Sequence, residues 1–150
     1  MKQKDFLDKL VYTSILLTMP IILSANSSVS LDVSVDNLRN SKGVIRFALY
    51  NKDGSIPDKY YTKYYKKNIV KIIRNSSHTT FKNLPKGRYA ISILHDENSN
   101  GKIDKGMILP KEGVGFSNYK SINILNKPTF KKVSFELNKD TKKKIKVIYF

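Results

Sequence analysis

The chain has 150 residues, 40% of them apolar, and 28 basic against 12 acidic side chains give a formal charge of +16. That length suits one domain with its own core rather than two, and the apolar share excludes wholesale disorder. Without Cys there can be no disulfide, thiolate metal site, thiol nucleophile or lipidated cysteine, and the two histidines, His78 and His95, are too few for a three-His zinc site.

Lys2, Lys4 and Lys9 precede an apolar run over 11–23, and the small residues Ser24 and Ala25 follow it. The run has the length of a signal-peptide core and falls short of the ~20 residues of a membrane span. We expect a signal peptide over 1–25, cleaved after Ala25 or, alternatively, after Ser27. An uncleaved anchor is the competing reading. The domain is then 26–150, periplasmic or extracellular, with no transmembrane helix.

The rest reads as strands. Leu31, Val33 and Val35 alternate with Asp32, Ser34 and Asp36, a period of two that predicts a half-buried strand over 30–38. A polar turn ends before Gly43, and 44–50 is the second strand. Asn51, Asp53, Gly54 and Pro57 break the pattern. Further strands are predicted over 69–73, 79–81 and 88–95. Residues 96–120, rich in Gly, Asn and Asp, read mostly as loop. The last two strands are predicted over 131–137 and 143–150. About seven short strands predict a single antiparallel β-sandwich, prealbumin-like or Ig-like, with no long helix. The aromatic C-terminus also resembles that of outer-membrane barrels, but the strands are mostly shorter than the ~9–11 residues a barrel needs.

Residues 1–25 hold three Lys and two Asp, so without them the charge is +15. Such a surface attracts polyanions. Yet it is mostly Lys, and only Arg carries the bidentate fork suited to phosphate. The Lys, Asn and Ile bias also fits an AT-rich genome and a solvated surface. For an exported protein, envelope glycan, lipid or protein is a better candidate partner than nucleic acid. Lys59, Tyr60, Tyr61, Lys63, Tyr64, Tyr65, Lys66 and Lys67 concentrate the candidate polyanion or glycan contacts. One helical turn would pair Tyr60 with Tyr64 and Tyr61 with Tyr65. The alternative is a loop whose rings cover one end of the sandwich.

Four of the ten acidic residues after position 25 fall within 96–112: Asp96, Glu97, Asp104 and Glu112. Asp96, Asn98, Asn100, Gly101 and Asp104 have the spacing of the first nine positions of a calcium loop, where alternate side chains aim hard oxygens inward. The candidate metal ligands are Asp96, Asn98, Asn100, the Lys102 carbonyl, Asp104 and Glu112. Met107 stands where the bidentate Glu belongs, so Glu112 would have to fold back to replace it. The competing reading is an Asn-Gly turn with local backbone bonds.

Three segments together carry a resemblance: Phe81-Lys-Asn-Leu-Pro-Lys-Gly-Arg-Tyr-Ala-Ile, His95-Asp-Glu-Asn-Ser-Asn-Gly-Lys-Ile-Asp and Pro110-Lys-Glu-Gly-Val-Gly-Phe-Ser-Asn. Their order and spacing resemble the exported bacterial proteins of domain-of-unknown-function family 2141. The first also resembles a hairpin of prealbumin-like and Cna-B-like sandwiches. That resemblance implies core roles for Phe81 and Leu84, a turn at Gly87 and an anchor at Tyr89. Related sandwiches carry an Asp-rich segment associated with calcium. Asn100 stands here where those have Asp, so one charge is missing. The family implies no reaction.

No catalytic constellation is evident. Ser117 lacks the Gly-x-Ser-x-Gly elbow, because Tyr119 replaces the last Gly. His95 and Asp96 are strand neighbours and must point to opposite faces. Nothing in the sequence fixes the separation of Glu97 and Glu112 as an acid pair. The sequence therefore predicts an exported, non-catalytic β-sandwich, a calcium-stabilised candidate with a binding or envelope-structural role. The alternatives are a basic module on anionic envelope glycans or lipids and, more remotely, a hydrolase.

Overall fold

The structure is a computed structural model that describes residues 28–104, 106, 110–119, 121 and 126–150. The expected signal peptide lies outside the described residues. Eight strands form two sheets: β1 (Val29–Val35), β2 (Val44–Tyr50), β3 (Lys66–Lys71), β4 (Ser77–Leu84), β5 (Gly87–Asp96), β6 (Gly113–Phe116), β7 (Phe135–Leu137) and β8 (Thr141–Lys144). The first sheet has the order β4-β1-β8, and the second β3-β2-β5-β6, with β7 on the start of β5. The sandwich is not purely antiparallel, because β8 runs parallel to β1. Those two strands are separated by almost the whole domain, so the long connection that a parallel pair requires is present. No helix among the described residues is long and apolar enough to cross a membrane.

Strand parity sets the layers. Ile45, Phe47 and Leu49 of β2 are register partners of His95, Ile93 and Ile91 on β5. This face packs on Leu31, Val33 and Val35 of β1, which forms the inner core. The opposite parity of β2 and β5 is buried too. Ala48, Tyr50, Ala90 and Leu94 lie under Ile56, Tyr61, Phe130 and Val133. Every residue from Tyr89 to Asp96 is therefore buried, and β5 has a core on both faces.

Three predicted segments differ. The strand expected over 143–150 lies at Thr141–Lys144, with an isolated bridge at Ile148 beyond it. The strand expected over 131–137 begins as one helical turn, α1 (Phe130–Val133), and only its last three residues form β7. Thr129 caps the turn, accepting the Lys132 N–H at 3.4 Å. The i,i+3 spacing puts Phe130 and Val133 together on the second core. The region read mostly as loop also contains β6. Its glycines mask a strand that needs them. A Cβ on Gly113 would lie 2.3 Å from the Tyr149 ring, and one on Gly115 would lie 2.6 Å from the Lys146 carbonyl oxygen. The C-terminal segment crosses directly over them, with Val114 and Ile148 exchanging backbone bonds of 3.0 and 2.8 Å.

Candidate functional site

β5 delivers His95 to the inner face and Asp96 to the outer face, as strand parity requires. Asp96 is fully buried. Its Oδ2 meets Arg46 Nε at 2.5 Å and the Gly101 N–H at 2.9 Å, while Oδ1 takes the Asn100 N–H at 3.0 Å. The chain then turns on its Asn side chains. Asn98 Oδ1 accepts the Asn100 N–H at 3.0 Å, and Asn100 Oδ1 accepts the Lys102 N–H at 2.8 Å. Their amide NH2 groups both donate to the Asp104 carboxylate, at 2.6 Å from Asn98 and 3.1 Å from Asn100. Glu112 does fold back, and it ties the loop at two points. It accepts the Glu97 N–H at 3.0 Å and the Asp104 N–H at 3.1 Å. Burial, with Asp96 and Asp104 nearby, raises the Glu112 carboxyl above its ordinary range despite these two N–H groups.

The four side chains singled out from spacing, Asp96, Asn98, Asn100 and Asp104, thus share one network, which Glu112 joins by folding back and Lys102 through its backbone. Their hard oxygens suit calcium, but the arrangement is already occupied from within. Arg46 sits on Asp96, and two amide NH2 groups cover Asp104. Among the described residues, no group of three or more His, Cys, Asp or Glu is disposed to hold a metal ion. Calcium would have to turn the Asn98 and Asn100 amides away from Asp104. Arg46 is the participant the motif does not reveal. Its signal is a lone charge at an outward position of an otherwise apolar strand.

Beside this loop lies a clasp on the C-terminal segment. His95, fully buried, places Nε2 3.0 Å from the Lys42 carbonyl and Nδ1 2.7 Å from the Tyr149 hydroxyl. In the neutral ring Nε2 carries the proton and Nδ1 accepts from Tyr149. Arg39 stacks 4.7 Å above the Tyr149 ring and binds Glu97 at 2.5 Å. Burial works to raise the Glu97 carboxyl, but Arg39 and its neighbours outweigh that and hold it below the ordinary range. Ser117 is buried, donating to the Val133 carbonyl at 2.6 Å and accepting the Ile91 N–H at 2.9 Å.

The Lys/Tyr segment is not a helical turn. Asp58 organises it, accepting the Thr62 and Lys63 N–H groups at 3.1 and 2.8 Å and the Tyr50 hydroxyl at 3.2 Å. Tyr61 takes a positive φ of 51° and dives into the second core. The rings therefore do not pair at i,i+4. Tyr60 is exposed, Tyr64 lies under Lys67 at 4.7 Å, and Tyr65 meets Tyr89 with ring centres 6.3 Å apart. Lys66 and Lys67 already belong to β3. The segment is divided among three surroundings rather than forming one patch.

Its first part nevertheless meets the acidic loop. Lys59, Tyr60 and Tyr61 face Asn100, Gly101, Lys102 and Ile103 across a cleft of about 590 Å³. A smaller, mainly apolar recess of about 240 Å³ shares Lys59, Tyr61 and Ile103 and reaches Ser92 and Phe116. Lys63, Tyr64, Tyr65, Lys66 and Lys67 do not line the cleft, and neither do Asp96, Asp104 and Glu112, although Asp96 holds the Asn100 and Gly101 N–H groups and Asp104 the Asn100 amide.

The fold and cleft define an all-β sandwich protein with a ligand-sized groove on one outer face. Residues 33–146 match the family model described as "Uncharacterized protein conserved in bacteria (DUF2141)", and the chain belongs to that family. No curated protein and no solved structure matches the chain.

Proposed function

We propose that this protein is an exported, non-catalytic binding module of the cell envelope that takes an acidic saccharide in the cleft between 59–61 and 100–103. The observation that carries this reading is the cleft itself. It joins two Lys side chains, two Tyr rings and an Asn, drawn from two segments 40 residues apart. Lys59 and Lys102 supply charge, Asn100 supplies a polar contact, and the exposed Tyr60 ring supplies a flat surface for a sugar. Volumes of ~300–1,000 Å³ are usual for small-ligand sites. The engagement of Ser117 and His95 in structural hydrogen bonds supports binding over hydrolysis.

The experiment is retention on an immobilised acidic polysaccharide. Lys59→Glu with Lys102→Glu should abolish retention, while Lys63→Glu with Lys67→Glu should lower it only slightly. Equal losses would show a diffuse basic surface and sink the cleft. Export is tested separately, by cell fractionation and by mass of the purified N-terminus. Recovery of the chain from the cytoplasm with Met1 intact would overturn it.

A second reading adds calcium as a modest stabiliser of the acidic loop. It is favoured by the fold-back of Glu112 onto Glu97 and Asp104. Asp104, Asn98, Asn100 and Glu112 would supply oxygens, and the ion would stiffen the cleft wall rather than take part in chemistry. A calcium-specific rise in melting temperature, absent with magnesium and lost in Asp104→Ala, tests it.

A further inference from the structure

We propose that the outward face of β3 and the tip of the β3–β4 hairpin form a docking surface for an anionic lipid bilayer. The site is separate from the cleft. β3 is the end strand of its sheet, and its odd-numbered residues point away from the core. Lys67, Ile69, Lys71 and Ile73 form that row. Ile69 is 50% exposed and Ile73 is 72% exposed, two large apolar side chains left in water. Ile73 opens the hairpin tip, where it bridges to Ser76 and where Arg74 and Asn75 take left-handed conformations. The tip is held in place by Asn75, which bonds to Leu38 and Ser41, and exposed apolar side chains on such a fixed edge, flanked by cations, are suited to the boundary between headgroups and acyl chains.

Charge selects the partner. Residues 66–84 contain five Lys or Arg and no Asp or Glu, so β3, β4 and their turn form a basic edge, where Asp32 of β1 accepts the Thr80 hydroxyl on β4. A second copy of this chain is a poor occupant, since pairing along the row would bring Lys67 and Lys71 against their own kind. An anionic bilayer satisfies both halves of the pattern. Lipid phosphates meet Lys67, Lys71 and Arg74 while Ile69 and Ile73 leave water. The two kinds of contact reinforce each other because each basic group held near an anionic surface adds roughly fivefold to partitioning.

The test uses the protein as it purifies, with the same N-terminus in every variant. The probe is a vesicle of phosphatidylglycerol and phosphatidylcholine, compared with phosphatidylcholine alone. The chain has no Trp, so Ile73→Trp is a single local reporter. Its emission should shift to the blue with anionic vesicles and stay unchanged with neutral ones. Thr80→Trp, exposed on β4, should not move. Lys67→Gln with Lys71→Gln and Arg74→Asn should weaken binding on the order of a hundredfold, from three lost contributions of that size. Ile69→Ser with Ile73→Ser should weaken it at least tenfold at an unchanged melting temperature. Lys59→Glu with Lys102→Glu should leave the Ile73→Trp shift in place, which separates this surface from the cleft. Absence of the emission shift, or full binding by the Ile69→Ser, Ile73→Ser pair, would overturn the proposal. So would a dimer by sedimentation that the same pair dissociates, since the face would then be a self-interface.

Discussion

The two walls of the cleft are built by opposite means. The 96–104 wall is dense with polar bonds. Asp96 alone receives Arg46 and two backbone N–H groups, and Glu112 receives two more. The 57–65 wall has fewer polar ties: Asp58 takes two of its N–H groups, the Tyr65 N–H reaches the Leu49 carbonyl, and the Tyr61 ring is buried. The first wall is therefore a stiff plate whose shape is set by buried electrostatics. The second is a loop held by Asp58, by the buried Tyr61 ring and by the Tyr65 N–H on the Leu49 carbonyl, with Tyr60 exposed. A site of this kind gains precision from one side and adjustment from the other.

The sharpest way to break the contrast is to remove Asp96. Asp96→Ala strands the Arg46 guanidinium in a largely buried position and removes the acceptor of the Gly101 N–H, while the Asn100 N–H keeps only Asn98 Oδ1. Breaking a buried pair from one side costs about 3–5 kcal/mol. Thermal unfolding should show a fall on the order of 10 °C for a domain of this size. A fall no larger than that of an exposed substitution such as Lys102→Ala would show that the plate is not the stiff wall. Asp58→Ala should cost less, about 1–2 kcal/mol, since it removes two backbone caps and leaves the buried Tyr50 hydroxyl without its carboxylate. Polysaccharide retention should nonetheless suffer in both variants, because each wall places a lysine.

Calcium sharpens the same comparison. Arg46 already neutralises Asp96, so the wild-type protein should respond weakly to the ion. Arg46→Gln removes that charge and should make the melting temperature more sensitive to calcium than the wild type by a few degrees. A ligand held only by the folded state adds about 2.7 kcal/mol at a hundred times its dissociation constant. Equal responses of the two proteins would show that the guanidinium does not compete with a cation.

The sequence revealed most where one rule acted alone. Alternation in β1 is clean, because one face meets the core and the other meets water. In β5 the alternation of Tyr89, Ile91 and Ile93 located the strand but not its second buried face, since Ala90, Ser92 and Leu94 are buried by loops and α1, which pattern cannot place. β6 was illegible because Gly113 and Gly115 are there for the close passage of the C-terminal segment, a contact with residues more than 30 positions away. α1 was illegible because Val133 fits the period of Phe135 and Leu137, and four helical residues give no period of their own. At the site, spacing singled out Asp96, Asn98, Asn100 and Asp104, which share one hydrogen-bonded network. It could not show Arg46, which is 50 residues from Asp96 in sequence. Nor could it divide the Lys/Tyr segment, because a positive φ at Tyr61 breaks the helical spacing by which its rings would pair.

The smallest effect concerns the clasp beside the stiff wall. Glu97 is held below its ordinary range, with burial opposing and the Arg39 bond prevailing. A carboxyl depressed in the folded state contributes stability above its unfolded value, about 4.3, and that contribution is lost as pH falls through the folded value. Glu112 has the opposite sign. Raised by burial, it favours folding below the ordinary glutamate range and loses that contribution as pH rises through its folded value. On acidification the two therefore act in sequence, with Glu112 protonating first and Glu97 last. Urea melts of wild type and Glu97→Gln at neutral pH should differ by less than about 1 kcal/mol, as for other partly exposed ion pairs. The gap should close only below the ordinary glutamate range. Arg39→Gln should close it as well, because the depression depends on the guanidinium. A gap that persists unchanged at low pH would mean that Glu97 acts through packing rather than charge, and that the stiff wall needs no clasp.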